Sequence, residues 1–357
     1  MDKIRDYVLY FPLYAIGGFL ALILCNVLQQ RLFRRSGDAP LVLHWFPFIG
    51  NAVSYGLDPY SFFLECRKKH GDVFTFVLFG RKITCCLGIQ GNDFVLNSRH
   101  QDANAEEIYG PLTTPVFGSD VVYDCPNWKL MEQKKFVKFG LTQKALESHV
   151  QKIEGEVLDY INSVSTLTHA KMRAIYMDII NDRRKSGVDV NEGSDMICNL
   201  MRCSYKNGQP VPDKEVAHMM ITLLMAGQHT SSSASSWIIL HLASRPDMPE
   251  ELYREQLDNL SVDGVLPPLQ YSDLDKLPIL QNVVKETLRV HSSIHSILRK
   301  VKNPLHVPRT PYIVAPGKVI FASPIVTALS DEYFTNAKTW NPHRWDNKPR
   351  EETAGDE

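Results

Sequence analysis

Met225-Ala226-Gly227-Gln228-His229-Thr230-Ser231-Ser232-Ser233 occupies the middle of the longest helix that the sequence predicts, running from Asp213 as N-cap to a stop at Arg245-Pro246. At about 1.5 Å per residue such a helix is about 45 Å long, enough to traverse a whole domain. A glycine and a run of hydroxyls inside it sacrifice stability, because glycine gives up side-chain packing and Ser or Thr can bond back to the carbonyl four residues earlier. Gly227 and Thr230, three apart, share a face, so the missing side chain opens a groove beside a hydroxyl able to relay a proton to a small bound ligand. A tight helix crossing also needs small residues, and the helix alone does not choose between the two.

Downstream, a helix over Ile279 to His291 sets Glu286 and Arg289 on one face, a spacing that by itself describes an ordinary solvated pair. Trp340-Asn341-Pro342-His343-Arg344-Trp345 then offers an arginine between two tryptophans, able to close a second fork on the Glu286 carboxylate; an exposed linker arginine is the plainer account. Upstream, the pattern predicts a helix over Ser61 to His70 capped by Gly71, a strand pair over Asp72–Phe79 and Lys82–Leu87 turned at Gly80-Arg81, and helices over Ile89–Ser98 and Asn127–His149. Another helix follows over Met248–Leu260, then a small hairpin turned at Pro316-Gly317 and a polar tail after Asp346. The class is mainly α with a small β-sheet.

From Tyr7 to Leu28 the chain runs without a charge, long enough as a helix to cross a hydrocarbon layer about 30 Å thick. No small-residue cleavage site follows, and Arg31, Arg34 and Arg35 stand unopposed until Asp38, which places the body on the cytosolic side of a retained single span. A buried terminal core helix is the alternative, disfavoured by Pro12 and Gly17-Gly18. Residues 1–35 therefore read as anchor and basic flank, 36–59 as a proline-rich hinge, 60–346 as the body and 347–357 as the tail. With 39 basic and 40 acidic residues there is no global field for nucleic acid, and none is expected as a partner. The seven cysteines, at 25, 66, 85, 86, 125, 198 and 203, lack the paired spacing of zinc modules or disulfide scaffolds. The chain also contains neither Gly-x-Ser-x-Gly nor His-Glu-x-x-His, which removes a membrane-anchored hydrolase from consideration.

The ordered set of anchor, hinge, Ala-Gly-Gln-His-Thr helix, Glu-x-x-Arg and aromatic-Pro-Arg segment resembles the cytochrome P450 superfamily of haem monooxygenases. More narrowly, Tyr109-Gly-Pro-Leu-Thr-Thr-Pro-Val-Phe-Gly-Ser-Asp-Val-Val-Tyr123-Asp-Cys-Pro-Asn and Leu130-Met-Glu-Gln-Lys-Lys-Phe, with His229 where most of the superfamily carries an acid, resemble fungal sterol 14-alpha-demethylases. The resemblance implies that Tyr109, Tyr123, Lys134 and Arg299 hold the haem propionates, with His295 and Ser296 opening the Arg299 segment. It implies that Phe117 and Val122, in a loop from Tyr109 to Tyr123, wall the sterol pocket with Ala226 and Gly227. His229, Thr230 and Ser231 would face oxygen and substrate, and Glu286, Arg289 and Arg344 would brace the proximal haem side. Tyr109 and Tyr123 as ordinary core tyrosines, and Lys134 on a solvated face, are the competing accounts.

The implied reaction is oxidative removal of the 14-alpha-methyl group from a sterol such as lanosterol or eburicol, in ergosterol biosynthesis. It uses haem b, O2 and electrons from NADPH through NADPH-cytochrome P450 reductase, at the endoplasmic reticulum membrane. Two departures from the family pattern are expected to matter. No cysteine follows Cys203, so the glycine-rich haem-thiolate loop has no counterpart and no axial metal ligand is assigned. Only 93 positions separate Lys134 from Gly227, fewer than whole members place there, and the turn-poor junction from Val164 to Thr168 is where the missing stretch is expected. On this reading the fold is incomplete and the chain as it stands is inactive. The alternative is a non-enzymatic, membrane-tethered remnant that binds sterol or the reductase.

Overall fold

The structure, a computed structural model, describes residues 2–32, 37–143, 147, 169–186 and 195–346. The described chain forms two compact units, one of residues 1–108 and 294–337, the other of residues 109–293 and 338–357. The expected junction from Val164 to Thr168 and the tail beyond Asp346 lie outside the described residues.

In the first unit, α1 (Asp2–Leu32) outruns the uncharged stretch, because nothing after Leu28 breaks or caps a helix. Its Tyr14–Leu32 portion is long and apolar enough to cross a membrane, and none of it is buried. After α2 (Ala52–Leu57) comes α3 (Pro59–His70), where the Asp58 carboxylate accepts from the Ser61 amide at 3.0 Å, Pro59 starts the helix and Gly71 ends it at φ +83. The strands β1 (Val73–Leu78) and β2 (Arg81–Cys86) then pair antiparallel, as the alternation predicts, and α4 (Gly88–Leu96) and β3 (Ala103–Asn104) follow.

β4 (Ile297–Val301), β5 (Leu305–His306), β6 (Ile313–Val314) and β7 (Val319–Ala322) complete the strands. The large sheet has the order β1-β2-β7-β4-β3, with β7 parallel to β2 and antiparallel to β4. Its core is aromatic, with Phe63, Phe74, Phe76 and Phe321 buried around Cys85. The turn at Pro316-Gly317 is real, with Gly317 at φ +79, but the expected hairpin is not. β6 pairs with β5 in a separate sheet, while the Gly317 amide and the Lys318 carbonyl both bond to Val301.

The second unit is helical. α5 (Glu106–Phe117) takes up much of the expected Tyr109–Tyr123 loop, opening with two acidic residues at its positive end and tolerating Pro111 and Pro115. α6 (Asn127–Gly140) is followed by α7 (His169–Lys185), α8 (Met196–Arg202), α9 (Asp213–Ser244), α10 (Asp247–Leu260) and α11 (Pro278–Val290). The 32-residue α9 starts one residue earlier than a capping Asp213 would have it, since Pro212 holds the N-cap position in an extended conformation. Its first two turns are buried against α7 and α8 in a cluster around Ile180, Leu200 and Val216.

Candidate functional site

The centre of α9 is where local chemistry departs most from an ordinary helix. Thr230 Oγ1 donates to the Ala226 carbonyl at 2.7 Å, Ser231 Oγ to that of Gly227 at 2.5 Å and Ser232 Oγ to that of Gln228 at 2.6 Å, the back-bonding expected of hydroxyls inside a helix. Residues 226–232 are all exposed, and among the described residues a side chain built at Gly227 would meet nothing within 4 Å, so no described helix crosses tightly there. The glycine opens onto free space beside Thr230, and Ala226, His229 and Ser231 are exposed with it.

The predicted fork forms, and it is not a solvated pair. Arg289 donates to Glu286 through Nη2 at 2.7 Å and through Nε at 2.9 Å. Arg344 Nε reaches the same carboxylate at 3.2 Å, the Asn341 amide at 2.9 Å and Trp345 Nε1 at 3.1 Å. Burial alone would raise the pKa of Glu286, but the Arg289 guanidinium, the Asn341 N–H and Arg344 outweigh it and hold the carboxyl below its usual range.

Beside the fork stands an aromatic ladder that the sequence reading missed. Trp237 stacks on His291 at 3.7 Å, His241 on Trp340 at 4.6 Å, and the two imidazoles share a hydrogen bond at 2.9 Å between their Nε2 atoms. Trp340 Nε1 donates to Thr287 Oγ1 at 3.0 Å. Burial lowers the pKa of both histidines, so one neutral ring donates to the other. The Trp237-to-His241 spacing of one helical turn was the available signal.

Tyr109 and Tyr123 lie together, their half-buried rings stacked at 5.2 Å. The turn Val122–Asp124 is tied back to α5 through Asp124, which accepts from Thr114 Oγ1 and from the Asp120 amide, each at 3.0 Å. Val122 sits at φ +53, a left-handed conformation that a β-branched residue rarely adopts and that marks local strain. Phe117 and Val122 both pack at the edge of the α7–α9 cluster. Lys134 is exposed on α6. The neighbouring Lys129 carries the buried chemistry instead, donating to Glu215 at 2.7 Å. Tyr205 donates to the same carboxylate, and Gln133 donates to the Tyr205 hydroxyl at 3.1 Å.

In the first unit, Arg299 lies on β4 and donates through Nη2 to the Leu96 carbonyl at 2.7 Å, while its buried Nε has no acceptor among the described residues. His295 is hydrogen-bonded to Ser296 at 2.5 Å, and burial lowers its pKa. A guanidinium such as that of Arg299 suits an anionic carboxylate. Four buried cysteines do not suit a haem iron. Burial pushes the thiols of Cys66 and Cys125 up to about 11 and that of Cys86 up to about 12, and Cys85 is fully buried in the sheet. Among the described residues no group of three His, Cys, Asp or Glu side chains could hold a metal ion.

Comparison with known proteins agrees with this picture. The family model described as Cytochrome P450 matches the chain in two stretches, residues 40–174 and 164–354, which meet at the expected junction. The chain is 62% identical to the sterol 14-alpha demethylase CYP51A of Gibberella zeae, over 97% of this chain and 82% of that protein. It is 52% identical to the corresponding cyp51A enzyme of Aspergillus fumigatus (98% and 82%) and 45% identical to the eburicol 14-alpha-demethylase of Penicillium italicum (99% and 83%). The Gibberella alignment runs over 415 positions against a chain of 357 residues, so at least 58 positions have no residue here. Among solved structures, the retinoic acid-bound cyanobacterial CYP120A1 superposes with a TM-score of 0.74 at 18% identity, over 88% of this chain and 83% of that one, a likeness of fold.

Proposed function

This chain belongs to the cytochrome P450 family, among its fungal sterol 14-alpha demethylases, and from that premise we propose that its residues serve oxidative removal of the 14-alpha-methyl group of a sterol such as lanosterol or eburicol. The observation that carries the reading is 62% identity sustained over 97% of the chain. When bound, haem b supplies the oxygen activation, with electrons delivered from NADPH by NADPH-cytochrome P450 reductase. α1 holds the protein in the endoplasmic reticulum membrane, with the hinge over 36–59, the body over 60–346 facing the cytosol, and the tail beyond.

Within this reading Tyr109, Tyr123 and Lys134 in the second unit, and Arg299 in the first, would each serve a haem carboxylate through phenol, ammonium or guanidinium. Phe117 and Val122 exclude water from the sterol, and the small-residue face at Ala226 and Gly227 receives it. Thr230 Oγ1 and Ser231 Oγ now spend their protons on backbone carbonyls one turn back. Rotation of either hydroxyl would re-aim its O–H as a hydrogen-bond donor to a ligand at the Gly227 side, with His229 exposed on the same stretch. Glu286, Arg289 and Arg344 keep α11 and the 340–345 segment in register behind the site.

The test is sterol binding by the full 357-residue chain in detergent micelles, titrated with lanosterol and with the same sterol lacking the 14-alpha-methyl group. Saturable binding that favours lanosterol is expected; equal binding of the two sterols overturns the reading. A reduced carbon-monoxide difference spectrum of the same preparation reports the iron ligand. No thiolate-type band is expected, because no cysteine follows Cys203 in the sequence where the family's axial ligand would stand.

A further inference from the structure

The first unit contains a cavity of about 500 Å³ between the cytosolic end of α1 and the sheet. Asn26, Gln29 and Gln30 line it from the helix, and Lys82 and Lys318 line it from the sheet. The parallel register that pairs Ile83 with Val319 puts these two lysines side by side, one step before that pair on adjacent strands whose backbones lie about 5 Å apart. Like charges on neighbouring strands repel. Both lysines are exposed, and among the described residues neither forms an ion pair. The Gln29 amide likewise makes no side-chain hydrogen bond among the described residues. Asp38 brings one carboxylate to the cavity wall, so the lining carries one net positive charge. His44, also in the lining, is kept neutral by burial.

The position of this cavity is fixed by a clamp on α1. Asn26 Nδ2 donates to the carbonyls of His44 and Trp45, each at 3.0 Å. Gln30 donates to the His44 carbonyl at 2.8 Å and accepts from the His44 amide at 3.1 Å. The polar cavity therefore sits where the apolar helix ends, at the depth of lipid headgroups. Next to it lies an apolar rim of exposed Trp45 and Phe48, with Phe48 against Phe79 at 6.3 Å and Phe46 against Phe19 of α1 at 6.1 Å. Aromatic side chains at such a boundary suit acyl chains and the interface.

We propose that this cavity is a binding site for the headgroup of an anionic glycerophospholipid such as phosphatidylserine, its phosphate on Lys82 and Lys318 and its acyl chains along α1 and the Trp45–Phe48 rim. The match is of charge as well as place: a lipid of net charge minus one meets a lining of net charge plus one, and Gln29 supplies an unused amide to its polar head. The site rests on the reading of α1 as a membrane anchor. Flotation of the full chain with phosphatidylcholine vesicles tests that premise separately, since it does not depend on the two lysines.

The test of the site is native mass spectrometry of the full-length protein released from neutral detergent micelles, counting lipid retained per chain. Phosphatidylserine is expected to be retained at least tenfold more tightly than phosphatidylcholine, and the Lys82→Gln/Lys318→Gln variant is expected to lose that preference, whereas Lys302→Gln keeps it. Equal retention of the two lipids, an unaffected double variant, or displacement of phosphatidylserine by equimolar inorganic phosphate each overturns the proposal. Thermal melting gives a second readout with opposite signs. Lipid-free, the double variant melts no lower than the parent because a repulsion has gone; with phosphatidylserine present the parent gains stability and the variant does not. A variant that gains as much as the parent overturns the proposal as well.

Discussion

Glu286 and Arg289, three residues apart on α11, share two hydrogen bonds at 2.7 and 2.9 Å, and neither side chain is more than 4% exposed. Replacing the carboxylate with an amide leaves two buried guanidinium groups facing a group that cannot neutralise them. Glu286→Gln is expected to destabilise the protein by about 3–5 kcal/mol, read as a lower urea midpoint, and Glu286→Gln/Arg289→Met to recover part of that loss. A single variant within a few tenths of a kcal/mol of the parent would contradict the buried fork.

Two glycines in the second unit should respond oppositely to the same change. Gly118 stands at φ +94, and an added methyl group would meet the His218 ring at 2.5 Å, so Gly118→Ala is expected to cost about 1–3 kcal/mol. Gly227 is helical with nothing within 4 Å, so Gly227→Ala is expected to stabilise by up to about 1 kcal/mol. That gain should be accompanied by weaker lanosterol binding, because the methyl group enters the groove proposed for the sterol. A gain in stability with unchanged sterol affinity would move the groove elsewhere.

His343 makes the 342–345 segment sensitive to pH. Burial works to lower its pKa, but hydrogen bonding to Asp346 and the charge of Glu251 outweigh it and raise the value above that of a free imidazole. A raised folded pKa means that the contribution is fully present below the unfolded value, about 6.5, and is lost as pH rises through the folded value. The melting temperature of the parent should therefore fall over that window relative to His343→Gln. Parallel pH curves for the two proteins would rule out the coupling.

The clamp on α1 has a local signature. In the full chain, Asn26→Leu/Gln30→Leu keeps the helix apolar yet removes every side-chain partner described for the His44 amide and carbonyl. Hydrogen exchange at the His44 amide is expected to speed up by at least tenfold while amides in the core of α1 keep their rates. Unchanged exchange at His44 would mean that the linker is held by something other than these two residues.

What could be read without coordinates follows the reach of each interaction. Glu286, Arg289 and the α9 hydroxyls were legible because their partners lie within one helical turn, and the strand pair because a two-residue turn enforces its register. Trp345 and the Asn341 amide on Glu286, or His241 on Trp340, depend on segments folded in from far along the chain. Pro316-Gly317 shows both sides: its turn chemistry is local, but which strand β7 joins is decided by Val301 and β2. Lys129 shows the limit on α6, since a run of lysines gives no local clue that this one turns inward onto Glu215.

The parallel pairing of β2 with β7 also imposes an order on biosynthesis. β2 leaves the ribosome early, together with its hairpin partner β1, but the strand that must lie on its other side is encoded near the opposite end. Until then Ile83 and Cys85 present an open edge with unmatched amides. Assembly of this sheet is thus a late event, and an unpaired strand edge persists for most of the time that the polypeptide is being made.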